Sequence, residues 1–187
     1  MAGSIITAGD ASIGTIINGP PGSDGTLILQ SGPSGAKVNA ATFDTLGNMK
    51  SAALAAPAFS AYQSTAQSLP ATTFTKLQFQ TKEFDTANTF DAVTNFRFQP
   101  LVAGYYLING QFQIATTVTL LVLAAYKNGS IYRYLAYSNT GASANGASLM
   151  FLNGSTDYIE LYASQAAAAQ NTVITYTSFQ AYLARSV

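Results

Sequence analysis

The segment from Tyr105 to Ile114 shows a period-two alternation of side chains, and this feature constrains the fold most. The side chains on its apolar face are Tyr106, Ile108, Phe112 and Ile114, and those on its other face are Tyr105, Asn109, Gln111 and Gln113. A period of two is the period of a half-buried β-strand. Comparable runs recur from Ala58 onward with turn residues between them. The sequence therefore predicts an all-β, antiparallel sandwich for residues 58–187.

The run from Val118 to Tyr126 differs because both of its faces are apolar. Leu120 and Val122 point to one side, whereas Leu121 and Leu123 point to the other. One side therefore needs a partner beyond the sandwich core. Asn128-Gly129 follows directly and predicts a tight hairpin, since both central residues of such a turn need positive φ.

Charged residues make up only 9% of the chain, against about 25% in typical soluble domains. Charge keeps β-rich monomers apart, so we expect much of this surface to be buried against other subunits. Eight basic and eight acidic residues give no net charge, which disfavours nucleic acid as a partner. No apolar stretch approaches the ~20 residues that a membrane span needs, and we expect no membrane partner.

Residues 1–57 differ in sequence pattern from the rest, because short apolar runs are separated by Gly, Pro, Ser and Asn. Such runs are too small to close a core alone, so we predict an extended N-terminal arm held by another surface. Within it, Thr26–Leu29 and Val38–Phe43 are predicted as short strands. The residues that we expect to anchor the arm are Ile5, Ile6, Ile13, Ile16, Ile17, Leu27 and Leu29.

Several segments of residues 58–187 resemble, in order, the C1q-like branch of the C1q/TNF jelly-roll superfamily. The most specific is Phe96–Tyr106, with an aromatic strand, a proline, a glycine and then aromatic residues opening the next strand. Leu152–Leu161 and Phe179–Leu183 resemble the late and closing strands of that family, with Asp157 and Ala181 departing from its usual pattern. The resemblance covers about two-thirds of the chain.

The resemblance implies a jelly-roll head that forms a homotrimer around an aromatic threefold axis. A homotrimer would account for the two-faced run near Leu121 and for the low charge. The residues that we predict to lie at the trimer interface are Tyr105, Leu121, Leu123, Phe179 and Tyr182.

Gly25–Gln30 followed by Ala41–Asn48 resembles short strand-turn segments common in bacteriophage fibre and surface proteins. We expect no secretion signal at the start. Together these two features favour a protein of a phage virion surface over an animal secreted ligand. Such a protein would be assembled in the host cytoplasm. The first hypothesis is a trimeric capsid decoration (cement) protein. Its arm would bind the major capsid protein or another virion protein, and its head would project as a knob. The alternative is a tail-fibre or receptor-binding tip that recognises a host-surface glycan or protein.

The sequence contains no histidine, which removes the usual nucleophile-histidine catalysts and histidine metal sites. Asp157 and Glu160 are three residues apart on a predicted strand and so face opposite ways. Asp85 and Asp91 lie in predicted loops, where capping of turns is the favoured role. A calcium site at these two residues is the alternative, because some C1q-like heads carry this ion. We expect no enzyme activity and no other cofactor.

Overall fold

The computed structural model describes residues 56–187 throughout, together with five strands and residue 46 in the N-terminal part. The chain divides into two compact units, Met1–Ala56 and Pro57–Val187. The one helical element of the described residues is a single 3-10 turn at Ile174–Tyr176. None of their helices has the length and apolar character required to cross a membrane.

The N-terminal unit contains five strands that pair antiparallel in chain order: β1 (Ile6–Thr7), β2 (Thr15–Asn18), β3 (Leu27–Ser31), β4 (Val38–Phe43) and β5 (Met49–Ser51). The strand predicted at Val38–Phe43 is confirmed as β4. The one predicted at Thr26–Leu29 corresponds to β3, which runs Leu27–Ser31, and Thr26 lies outside the described residues. The five described strands of this unit thus form an antiparallel meander.

Most of the predicted anchor residues lie on this meander. Ile6 of β1 pairs with Ile16 of β2, and Ile16 pairs in turn with Leu29 of β3. Ile17 and Leu27 lie on β2 and β3. Ile5 and Ile13 lie outside the described residues.

The C-terminal unit, which we call the head, is built from the following strands: β6 (Ala58–Tyr62), β7 (Ser68–Leu69), β8 (Thr75–Lys76), β9 (Thr81–Asp85), β10 (Phe90–Asp91), β11 (Arg97–Phe98), β12 (Gly104–Val118), β13 (Leu121–Lys127), β14 (Ser130–Ser138), β15 (Gly141–Leu152), β16 (Ile159–Gln165), β17 (Gln170–Asn171) and β18 (Ser178–Ser186). One antiparallel sheet has the order β15-β12-β18-β6-β9. The other has the order β10-β11-β16-β13-β14, with β8 also on β16, and β7 pairs with β17. Neighbours distant in sequence, such as β6 and β18, make this a jelly roll and not a meander.

The core lies between these two sheets. Tyr106, Ile108, Phe112 and Ile114 are fully buried on β12, which confirms the predicted alternation. Phe59 of β6 is the centre of an aromatic cluster in which its ring lies 4.5 Å from that of Phe90, 4.8 Å from Phe98 and 4.9 Å from Phe179. Such ring pairs add about 0.5–1.5 kcal/mol each beyond their buried area.

The predicted hairpin is confirmed, because Asn128 and Gly129 both have positive φ and connect β13 to β14. The run before it is not one strand: β12 ends at Val118 and β13 begins at Leu121. Leu121 and Leu123 face the core, and Val122 and Ala124 are buried on the opposite side of β13.

The chain itself supplies aromatic side chains on that opposite side. The ring of Tyr162 on β16, paired with Ala124, stacks on Tyr126 at 3.8 Å. Phe74, from the loop before β8, lies 6.1 Å from the Tyr126 ring and 6.3 Å from that of Tyr134. The second apolar face of β13 therefore has an intramolecular covering, and the expectation that it needs another subunit is wrong.

Candidate interaction surfaces of the head

The solvent-facing side of the β15-β12-β18-β6-β9 sheet divides into an apolar end and a polar end. At the apolar end, Tyr105 pairs with Phe151, and Leu107 pairs with both Leu149 and Tyr182. The rings of Tyr105 and Phe151 lie 5.6 Å apart. We call these five residues the apolar patch.

Large parts of the apolar patch face solvent. Leu149 is 56% exposed, Tyr182 51%, Tyr105 46% and Phe151 38%. Isolated exposed apolar side chains are ordinary on a protein surface, but a contiguous set of them marks an interaction site.

Two of the five predicted interface residues, Tyr105 and Tyr182, lie in this patch. The other three, Leu121, Leu123 and Phe179, are fully buried in the core of the head, and their assignment to an interface between subunits is wrong. The physical reason is the phase of the strands: Leu121, Leu123 and Ala125 of β13, and Phe179 on β18, point between the two sheets. The alternation in the sequence separated the two faces of β13 correctly. It could not show which of the two faces the core.

At the polar end of the same sheet face, side chains from four strands form one hydrogen-bonded chain. The Ser60 hydroxyl donates to Glu83 Oε2 at 2.6 Å, and Gln180 Nε2 donates to Ser60 Oγ at 3.2 Å. Asn109 Nδ2 in turn donates to Gln180 Oε1 at 3.2 Å. The order β12-β18-β6-β9 places these residues side by side although they are far apart in sequence.

Two adjoining cavities meet at this chain and share Ser60, Glu83 and Gln180. The larger, of about 630 Å³, also includes Tyr62, Gln111 and Ile174 in its lining. The smaller, of about 220 Å³, extends toward Phe84 and Tyr182. We call the two cavities together the polar groove. No local motif or spacing in the sequence joins the residues of this groove, so it could not be predicted from the sequence.

A second polar cluster fixes the end of the head near the β13–β14 hairpin. The carboxylate of Asp157, which is only 7% exposed, lies 2.8 Å from Lys127 Nζ. It also accepts hydrogen bonds from Asn128 Nδ2 at 2.8 Å and from the backbone N–H of Asn153 at 3.0 Å. Burial raises the pKa of Asp157, but these donors outweigh it and hold the pKa below its ordinary value.

Asp85 and Asp91, the weak candidates for a cation site, each bind backbone N–H groups. Asp91 accepts from Thr94 and Val93, and these bonds lower its pKa to about 2. Burial raises the pKa of Asp85, but N–H groups of Phe90 and Thr89 and the Lys82 ammonium bring it below its ordinary value. Both carboxylates thus cap turns, as the favoured interpretation predicted.

Glu160 lies apart from Asp157, in an ion pair with Lys76 at 2.7 Å. In the part of the chain that the structure describes, no three acidic, histidine or cysteine side chains converge as metal ligands.

The strand order and the two-sheet packing of the head define a jelly roll. The head is similar to solved structures of murine APRIL. At pH 8.0 the identity is 13% and the TM-score 0.54, and the match covers 68% of this chain and 98% of that one. At pH 5.0 the identity is 12% and the TM-score 0.54, with the same coverage. The Eiger TNF structure from S. frugiperda is 11% identical, with a TM-score of 0.49, and the match covers 71% of this chain and 93% of that one.

No family model and no curated protein matches the chain. At such low identities the likeness to solved structures shows the fold alone. It supports the C1q/TNF-like jelly roll predicted from the sequence.

Proposed function

We propose that the protein is a non-enzymatic structural protein of a virion surface, whose head assembles as a homotrimer. The observation that carries the assembly step is the apolar patch on the β15-β12-β18 face. A surface that pairs Tyr105 with Phe151 and Leu107 with Leu149 gains free energy when a second copy covers it. The low charge of the chain adds little repulsion between copies.

Three copies are proposed because segments such as Phe96–Tyr106 resemble C1q-like heads, which are trimers, and because the head has the TNF-like fold. The three core residues Leu121, Leu123 and Phe179 are no longer part of the proposed interface. Its members are now Tyr105, Leu107, Leu149, Phe151 and Tyr182.

A role without catalysis is supported by the chemistry of the side chains. The chain has no histidine and no cysteine. In the head, the carboxylates of Asp85 and Asp91 cap turns, and those of Asp157 and Glu160 are paired with lysines. None of these four is arranged as an acid and base facing a common substrate position.

The virion location is supported by the sequence, through the phage-like strand-turn segments of residues 25–48. In this proposal the N-terminal unit binds the major capsid protein or another particle protein, and the head projects. Removal of residues 1–56 is expected to leave a soluble head that no longer binds particles in co-sedimentation. A truncated protein that still decorates particles would refute the anchoring role.

The assembly step is tested with the double variant Leu149→Ser/Phe151→Ser in the full chain. These side chains are 56% and 38% exposed in the head, so covering them contributes about 1 kcal/mol each, and their loss is expected to weaken association about thirtyfold per protomer. The matched control is Val93→Ser/Leu101→Ser, which removes two residues that are 83% and 73% exposed and lie outside the patch. Light scattering coupled to size exclusion measures the mass. Equal masses for the two double variants would exclude the patch as the interface.

A second candidate function, recognition of a host-surface receptor by the head, is favoured by one separate observation. The polar groove lies beside the apolar patch and has the size of a ligand site.

A further inference from the structure

We propose that the polar groove is a binding site for neutral carbohydrate. This inference names a ligand class for the second candidate function and rests on it. The larger cavity shares no residue with the apolar patch, whereas the smaller one shares Tyr182. It starts from the shape of the groove, in which two cavities of about 630 and 220 Å³ adjoin at Ser60, Glu83 and Gln180. An elongated site of this kind suits a ligand of linked rings, and ligand sites commonly span about 300–1,000 Å³.

The charge of the groove limits the classes of ligand that can bind there. Glu83 is the one ionisable carboxylate that lines it, and no lysine or arginine lines either cavity. Phosphate, sulfate and sugar acids would meet a negative charge with no cation to offset it. A lipid tail is disfavoured as well, because it would bury the Glu83 carboxylate and the Ser60 hydroxyl against hydrocarbon.

The floor provides both kinds of hydrogen-bonding group that sugar hydroxyls require. Glu83 Oε2 accepts a hydrogen bond from the Ser60 hydroxyl. Glu83 Oε1 has no hydrogen-bond partner among the described residues. The amide of Gln111 and the hydroxyl of Ser178 likewise make no side-chain hydrogen bond within the described part of the chain and border the larger cavity. A sugar hydroxyl can donate to the carboxylate and accept from an amide N–H.

The polar chain also holds this floor in position. Gln180 is fixed between Asn109 and Ser60, and Ser60 is fixed against Glu83. Side chains that are already ordered lose less conformational entropy on binding, so the site is preorganised.

Apolar side chains stand at both ends of the floor. Tyr62 and Ile174 border the larger cavity, and Phe84 and Tyr182 border the smaller one. All four are partly exposed, between 39% and 51%. Aromatic and aliphatic surface can pack on the C–H face of a pyranose ring while the floor binds its hydroxyls, and this combination selects a sugar over a purely polar solute.

The test uses the full chain and a panel of neutral trisaccharides composed of glucose, mannose, galactose or N-acetylglucosamine, with sialyllactose as the charged comparison. Saturation-transfer NMR detects binding, and titration calorimetry measures affinity. At least one neutral trisaccharide is expected to bind. Sialyllactose is expected to bind at least about tenfold more weakly, because its carboxylate would lie near Glu83 with no lysine or arginine in the lining to offset the repulsion. Failure of every neutral trisaccharide to bind below about 10 mM would overturn the proposal.

The variants Glu83→Gln and Gln180→Ala locate the site. Each is expected to weaken the best ligand about tenfold or more. The matched control Gln78→Ala changes an exposed glutamine that lines neither cavity and is expected to leave affinity unchanged. Unchanged affinity in both groove variants would overturn the assignment.

Molecular mass, measured on the same samples, separates this proposal from the assembly proposal. Loss of oligomerisation in Glu83→Gln would show that the groove is an interface between copies and not a sugar site. Sugar binding by a monomeric chain would leave the carbohydrate site standing and contradict the trimer.

Discussion

Replacement of Asp157 by asparagine tests the polar cluster that joins the β13–β14 hairpin to the loop before β16. Three donors converge on this carboxylate: Lys127 Nζ at 2.8 Å, Asn128 Nδ2 at 2.8 Å and the Asn153 N–H at 3.0 Å. An amide is nearly the same shape, so the substitution changes the charge and one acceptor and leaves packing almost intact.

The expected loss in the free energy of unfolding follows from the number of hydrogen-bond donors and acceptors at this site. The introduced amide keeps one acceptor oxygen and presents an NH₂ group toward a site built from donors, so at least one partner loses its bond. Lys127 also loses its counter-ion at a site where its side chain is 17% exposed. A hydrogen bond to a charged group contributes about 1.5–3 kcal/mol, and breaking a buried ion pair costs about 3–5 kcal/mol. Because this pair is partly solvated, we expect a loss of about 3 kcal/mol, or about 10 °C in Tm.

Thermal unfolding followed by circular dichroism, with urea titration for the free energy of unfolding, measures this loss. Glu83→Gln is the matched control, since it makes the same acid-to-amide change on an exposed strand where one hydroxyl is the partner. The control is expected to cost less than about 1 kcal/mol. A Tm for Asp157→Asn equal to that of the control would refute the reasoning.

Three further predictions concern stability. First, the pKa of Asp91 is about 2 in the folded chain and 3.8 ordinarily, so its contribution to stability is complete above about pH 4 and is lost as the pH falls toward 2; Asp91→Asn should flatten this part of a urea-midpoint-against-pH curve, and an unchanged curve would contradict the assignment. Second, Gly146→Ala would place a Cβ against the Leu135 carbonyl and should cost about 2 kcal/mol or more in urea unfolding, whereas Gly141→Ala, which meets ordinary contacts, should cost far less; equal effects would contradict the close approach of β14 and β15. Third, Gln165→Met keeps the side-chain volume but deprives the carbonyls of Leu69, Ala167 and Ala168 of their shared donor, and we expect a loss of about 2–3 kcal/mol in the same assay; a neutral result would show that water replaces the amide.

The features that the sequence predicted well are local. The alternation from Tyr105 to Ile114 specified the buried face of β12, because a pleated strand turns successive side chains to opposite sides. Asn128-Gly129 specified its hairpin, because positive φ is accessible to those residue types. The C1q-like segments around Phe96–Tyr106 indicated the fold class, since their order along the chain follows the order of the strands.

The features that the sequence did not show depend on contacts between distant strands. Phe74 reaches Tyr126 and Tyr134 from a loop about fifty residues away. No residue near Leu121 in the sequence predicts this contact. The choice of Leu121 and Leu123 as interface residues failed for this reason: the alternation was visible, but the covering of Val122 and Ala124 was not.

The same limit applies to the polar groove. Ser60, Glu83 and Gln180 come from β6, β9 and β18, and each alone is an ordinary surface residue of a β-strand. Only the pairing of β6 with both β9 and β18 joins them into one site. Asp157 is similar, because its partners on the hairpin are about thirty residues away.

Sedimentation equilibrium of the full chain tests most directly whether the head assembles through the apolar patch. We expect one species of about 58 kDa, three times the 19.5 kDa of the chain, and a shift toward 19.5 kDa in Leu149→Ser/Phe151→Ser. A folded wild-type chain that sediments as a 19.5 kDa monomer at all concentrations would contradict it.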